Sequence, residues 1–238
     1  MSHLIHFRNW KTLDCETELC SVEETAQPGC LILRFQRTPF YPASGGQPSD
    51  IGKVVIPLSS ITLPVREVIY SEDKQKVDHY VEVGTGFVAP HPGTKFNLFV
   101  DHSVRLWHSR LHSAGHVIDA ALEVLKVALK PDKAYHYPDG PHICYLGEIG
   151  CPTDEFIRVI QEQCDRLIGA DMKVFIDFAN DDADDCTCER RMRIAGVISI
   201  PCGGTHVDSL KEIGKIVIRK IVLKPGRVRI CYALEENK

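Results

Sequence analysis

Four residues in two short stretches have the types and spacing to hold a metal. His112 and His116 are separated by Ser113-Ala114-Gly115, and Cys202 and His206 by Gly203-Gly204-Thr205. Two histidines at i and i+4 on a helix share one face and can offer two nitrogens to one cation. The glycines inside Cys202–His206 argue instead for a tight loop that brings thiolate and imidazole together through the backbone. Three imidazoles and a thiolate make a zinc set, because zinc takes nitrogen and sulfur donors in a roughly tetrahedral cage. By spacing alone His108 pairs with His112 as well as His116 does, since the three form a ladder at four-residue steps. A second acidic and sulfur-bearing stretch runs from Asp177 to Glu189, with Asp181, Asp182, Asp184, Asp185 and Cys186-Thr187-Cys188. It lacks the glycine turn of a calcium loop and the spacing of a zinc knuckle, and so reads as solvated surface.

The elements that must position these residues fall into two parts. Residues 1–100 carry short β-branched and aromatic runs, among them Cys30–Phe35, Gly52–Pro57 and Phe96–Val100. Pro28-Gly29, Pro57, Pro64 and Pro90–Gly93 bound them. This predicts a small antiparallel β-barrel. From residue 101 to 238 the pattern is mixed. An apolar stripe from Val104 through Leu129 predicts a long helix stopped before Pro131. A loop at Tyr137–Pro141 and a strand at His142–Leu146 follow. Then come a helix capped near Thr153 or Asp154, a strand at Lys173–Asp177, and a hairpin turning at Pro225-Gly226. The expected fold is α+β, an N-terminal barrel domain over 1–100 followed by a two-layer α/β domain over 101–238.

Composition bounds the function. The chain has 238 residues, 44% hydrophobic and 25% charged, with a net charge of −4. That excludes whole-protein attraction to nucleic acid, so a nucleic-acid contact needs cations gathered on one face. The C-terminal hairpin gathers Lys215, Arg219, Lys220, Lys224, Arg227 and Arg229 with no acidic residue among them. These are candidates for phosphate-backbone contacts, or for a solubilising strand face. Ten cysteines at irregular spacing, and an N-terminus without a basic region before a long apolar run, predict reduced thiols in the cytoplasm. No apolar stretch approaches the ~18 residues of a membrane span.

Three stretches in order carry a resemblance: Thr38-Pro39-Phe40-Tyr41-Pro42-Ala43-Ser44-Gly45-Gly46-Gln47, the helix with His112 and His116, and Cys202-Gly203-Gly204-Thr205-His206. Together with Glu212–Ile221 they resemble the AlaX family of free-standing alanyl-tRNA editing proteins and the editing region of alanyl-tRNA synthetase, from about residue 30 onward. The resemblance implies trans-editing: hydrolysis of the ester joining a wrong amino acid, chiefly serine and also glycine, to alanine tRNA. It selects His112, His116, Cys202 and His206 as zinc ligands and leaves His108 beside them. It places Gly45, Gly46 and Gln47 at the site, with Thr38 as a candidate hydroxyl. Where the family carries a threonine that meets the serine hydroxyl, Lys133 to Gly140 contains no Ser or Thr.

Such an activity has a physical rationale. A pocket that accepts alanine cannot strongly exclude serine, which adds only a hydroxyl, so a second hydrolytic site is needed. Two rivals remain open at this point. One is editing of another mischarged tRNA, such as threonine tRNA carrying serine. The other is a zinc-stapled tRNA-binding or adaptor module without catalysis.

Overall fold

Alternating buried and exposed residues close the first part of the chain into a barrel. In the computed structural model, which describes residues 2–57, 59–179 and 188–235, six strands form it. They are β1 (Asp14–Glu24), β2 (Cys30–Phe35), β3 (Gly52–Ile56), β4 (Ile61–Tyr70), β5 (Val77–Glu82) and β6 (Lys95–Val100). All pairs are antiparallel, in the order β1-β2-β5-β4-β3-β6. Leu33, Phe35, Val54, Val65, Val81, Phe96 and Leu98 fill the interior. A buried ion pair adds to this unit. Arg105 Nε lies 2.9 and 3.0 Å from the two Asp50 carboxylate oxygens, and both side chains are fully buried. Removing one partner of such a pair costs about 3–5 kcal/mol.

The long helix α1 spans His102–Val124. It ends five residues before Leu129 because Lys126 adopts a left-handed φ of 54°. The amides of Lys126 and Val127 then bond the carbonyls of Glu123 and Leu122, the pairing of a Schellman cap. The chain continues as β7 (Lys130–Tyr135) and β8 (His142–Leu146), helix α2 (Thr153–Gly169), and strands β9 (Val174–Phe178), β10 (Arg190–Ile194) and β11 (Ile198–Pro201). The hairpin β12 (Ile216–Lys224) and β13 (Arg227–Leu234) closes it. Two sheets result, one ordered β12-β13-β8-β7 and one β9-β10-β11. Strand β7 tolerates Pro131 because it is an edge strand. Leu111, Val117, Ile118 and Ala121 of α1 share a core with Phe156 and Ile160 of α2 and with Ile143, Ile230 and Tyr232 of the first sheet. The fold is α+β. Among the described residues no helix is long and apolar enough to cross a membrane.

The described residues of Met1–Ser44 and Pro48–Arg105 form one compact unit; those of Gly45–Gln47, Leu106–Asp182 and Cys188–Lys238 form another. The tripeptide Gly45–Gln47 thus belongs to the same unit as the histidine helix. The acidic run at 180–187, including Asp181, Asp182, Asp184, Asp185 and Cys186, lies outside the described residues.

Thr38 belongs to the barrel unit, and its hydroxyl is engaged there by two partners. Its oxygen accepts from the Phe40 amide at 3.1 Å and lies 2.8 Å from His79 Nε2. His79 Nδ1–H donates to the Leu33 carbonyl at 3.1 Å, so the Thr38 hydroxyl must donate to Nε2. Burial pushes His79 down to about 4. An unfolded histidine takes up a proton near pH 6.5 while the folded one resists to about pH 4. Its contribution to stability is therefore complete above 6.5 and is lost as pH falls toward 4. In urea unfolding, His79→Gln is expected to remove about 2 kcal/mol of the stability difference between pH 7 and pH 5. An unchanged difference would show that His79 is not held neutral.

Candidate metal centre

One turn of α1 places His112 and His116 with ring centroids 4.9 Å apart and planes 27° from parallel. The loop after β11 brings His206 to 4.6 Å from the first ring and 5.2 Å from the second. Cys202 Sγ lies 3.5 Å from His112 Nε2 and 3.2 Å from His206 Nε2. All four donor atoms fall within 4.8 Å of one another. Donors about 2.0–2.3 Å from a tetrahedral zinc stand about 3.3–3.8 Å apart, so the 3.5 Å separation fits such a cage and the 3.2 Å one is slightly tighter. His108, although buried, is outside this group.

The loop can approach the helix this closely because of Gly204. A Cβ there would stand 2.2 Å from the His112 ring. The Val207 amide donates to Ser113 Oγ at 3.1 Å and holds the end of the loop to the helix. Gln47, fully buried, supports both sides. Its Oε1 accepts from His112 Nδ1–H at 2.7 Å and from the Thr205 amide at 3.0 Å, and its Nε2 donates to Thr205 Oγ1 at 2.9 Å. Thr205 Oγ1 in turn lies 2.7 Å from Ser109 Oγ. His116 Nδ1 lies 3.3 Å from Asp119 Oδ2, and Tyr145 donates to the other Asp119 oxygen at 2.7 Å. Outer-nitrogen contacts of this kind fix ring tautomer and orientation at metal sites. His116 Nε2 and His206 Nδ1 are buried without a hydrogen-bond partner.

Gly45 and Gly46 shape the approach of Gln47. Gly46 has φ of +81°, and a Cβ on it would stand 2.3 Å from the Ala134 carbonyl. Its own carbonyl accepts from the His136 amide at 2.7 Å. Gly45 is also left-handed, at φ +55°.

Electrostatically the group is one unit. Burial alone would raise the Cys202 thiol, but the imidazoles of His112, His206 and His116 outweigh it and bring it well below the usual thiol range. Burial favours neutral His116, and the Cys202 thiolate and Asp119 carboxylate overcome it and push the ring up. Burial holds His206 down. These four residues could hold a metal ion.

His136 was not marked by any spacing in the sequence. Its ring stacks on His112 at 4.5 Å, and all four donor residues lie within electrostatic reach of it. The available signal was Gly115: a Cβ there would stand 2.5 Å from His136 Cε1, so this helix-interior glycine marks a close approach.

The basic candidates lie on β12–β13 and just before it. Lys220, Lys224, Arg227 and Arg229 occupy cross-strand register positions with Cys231, Arg227, Lys224 and Val222. Lys215 pairs with Glu235 at 2.8 Å, and Arg227 with Asp132 at 3.2 Å. Arg219 sits at the bulge of β12. Register extends the positive face to two lysines the sequence did not single out. Lys133 lies opposite Cys144, itself opposite Arg229, and Lys130 lies opposite Leu146, itself opposite Arg227.

No family model matches the chain. Among curated proteins it is 27% identical over 202 residues to the alanyl-tRNA editing protein AlaX-L of Pyrococcus horikoshii, a match covering 80% of this chain and 48% of that protein. The chain is similar to the alanyl-tRNA editing proteins. The alanine–tRNA ligases of Pseudothermotoga lettingae and Streptococcus sanguinis match at 25% and 28% identity over 94% and 85% of the chain. The chain spans about half the length of the editing relative and about a quarter of each ligase.

Gly204→Ala is expected to lose most of its bound metal. Gly203→Ala, whose Cβ would meet nothing within 4 Å, should keep it. Metal stoichiometry of the purified proteins checks this; equal metal content in both variants would show that the loop does not close on His112.

Proposed function

We propose that this protein is a cytoplasmic, zinc-dependent aminoacyl-tRNA deacylase. It acts in trans on mischarged alanine tRNA and hydrolyses chiefly the seryl and also the glycyl ester. The observation that carries the proposal is the convergence of the His112, His116, Cys202 and His206 donor atoms within 4.8 Å. Two of those rings are held from outside by Gln47 and Asp119. The similarity to AlaX-L and to alanine–tRNA ligases supports alanine tRNA over threonine tRNA.

Bound there, zinc would supply Lewis acidity to polarise the ester carbonyl and acidify water. The chain's own residues do the rest. Gln47 accepts from His112 Nδ1–H, which leaves the Nε2 lone pair facing Cys202. Asp119 does the corresponding work at His116. Among the described residues Gln47's side-chain hydrogen bonds go to His112 and Thr205, so we assign it as a positioning residue with Gly45 and Gly46 as its support. Thr38, occupied in the barrel unit, receives no role in this scheme. Lys215, Arg219, Lys220, Lys224, Arg227 and Arg229 are assigned to the tRNA, where phosphate contacts orient without reading sequence.

A set of four protein ligands also matches closed, structural zinc, which favours the adaptor as the second reading. Turnover separates the two. Wild-type protein is expected to hydrolyse the seryl ester of alanine tRNA and spare the alanyl ester, and His116→Ala to lose hydrolysis and metal together. Zinc bound at one equivalent with no hydrolysis would establish the adaptor instead.

Gln47→Ala is expected to weaken metal binding by about 10–100-fold, because His112 Nδ1–H and the Thr205 amide lose their acceptor. Its hydrolysis rate should recover when zinc is raised to saturation. A rate that stays low at saturating zinc would move Gln47 from positioning to direct contact with substrate.

A further inference from the structure

His136 is fixed from four directions. Its amide donates to Gly46 O at 2.7 Å, its ring stacks on His112 at 4.5 Å, and its Cε1 edge fits against the bare Cα of Gly115. Its Nδ1 lies 2.6 Å from the Tyr232 hydroxyl. That hydroxyl has a single proton, and it is committed to the Leu111 carbonyl at 3.0 Å, which can only accept. The Tyr232 oxygen must therefore accept from His136 Nδ1–H. The tautomer follows: His136 Nε2 carries a lone pair and no proton. The ring is 2% exposed, no group among the described residues donates to Nε2, and Nε2 is not one of the sealed, unpartnered side-chain atoms, so this edge of the ring reaches accessible space. An oriented acceptor that reaches accessible space can be met by a donor on a bound molecule.

We infer that His136 is a specificity-determining residue whose Nε2 accepts a hydrogen bond from the side-chain hydroxyl of the amino acid to be removed. The inference rests on the proposed deacylase function. An ammonium group or a neutral hydroxyl could fill the position, and charge narrows the choice. A divalent cation held by the adjoining cluster repels a second cation, which disfavours an ammonium group. A neutral hydroxyl carries no such penalty. Alanine offers only a methyl at this point, and so leaves Nε2 unpaired; a site built to bond a hydroxyl rejects the analogue lacking it far more strongly than a simple cavity does. The ring cannot turn to escape this, because Tyr232, Gly115 and His112 hold it.

The test uses the full chain loaded with zinc and two substituted forms. His136→Phe keeps a flat ring beside His112 and removes the acceptor; His136→Gln restores an acceptor oxygen on a flexible side chain. The readouts are the ratio of kcat/KM for the seryl and glycyl esters of alanine tRNA, and the affinity for 3′-seryl-amide and 3′-glycyl-amide analogues of the terminal adenosine, which are not hydrolysed. His136→Phe is expected to lower the seryl-to-glycyl ratio about a hundredfold in both readouts, and His136→Gln to restore part of it. Glycine has no side-chain hydroxyl, so a general loss of packing or of metal would move both esters together. Equal losses on the two esters, an unchanged ratio, or loss of zinc from His136→Phe would each overturn the assignment. If wild-type protein hydrolyses neither ester, the deacylase reading itself fails, whatever the variants do.

Discussion

The candidate site depends on one buried carboxamide. Gln47 offers one acceptor oxygen and one donor nitrogen, and the structure places three partners within reach: the outer nitrogen of His112, the amide of Thr205 and the hydroxyl of Thr205. His112 is fixed to the helix and Thr205 to the loop that carries Cys202 and His206. A single side chain therefore sets the tautomer of one donor residue and the position of the loop holding two others. An ionised aspartate or glutamate could accept twice but could not donate to the Thr205 hydroxyl, and a hydrophobic residue could do neither.

A second network repeats the device with different chemistry. Tyr145 donates to Asp119, which faces the outer nitrogen of His116. Tyr232 fixes His136, which stacks on His112. Both tyrosines are buried on strands of the sheet that packs against the helix, so the apolar core and the polar shell are built from the same strands. Rigidity in this shell is what a centre needs if its donors are to stay within bonding range when a charged thiolate and several imidazoles are crowded together.

Much of this was legible in the sequence, for identifiable reasons. Helical phase marked His112 and His116, and the glycines marked the loop at Cys202–His206, because both are local geometry. The barrel strands with β-branched runs were legible, whereas β1, β4 and β5 were not singled out because charges and Pro64 dilute their pattern. Strand β7 was missed since Lys130-Pro131-Asp132-Lys133 has no apolar alternation and is held by pairing with β8 alone. The helix end was placed too late because Leu125, Val127 and Leu129 continue the apolar content after the left-handed turn at Lys126 has broken the helix. Thr38 looked available for chemistry because no local pattern reveals a partner 41 residues away. His136 was invisible for the same reason: its meaning comes from Tyr232 and Gly115, which are distant in sequence.

Gly115 and Gly204 face the rings of His136 and His112 and leave no room for even a methyl group. Neither has a side chain, donates to the site through one or would be chosen from a search for reactive groups. Yet the space they leave empty is what allows imidazoles from the helix and from two loops to meet. In mutational terms the centre is larger than its ligand set: a one-carbon insertion at either glycine can disable it with every donor residue intact. A reading of variants that inspects only histidines and cysteines would pass such a chain as functional.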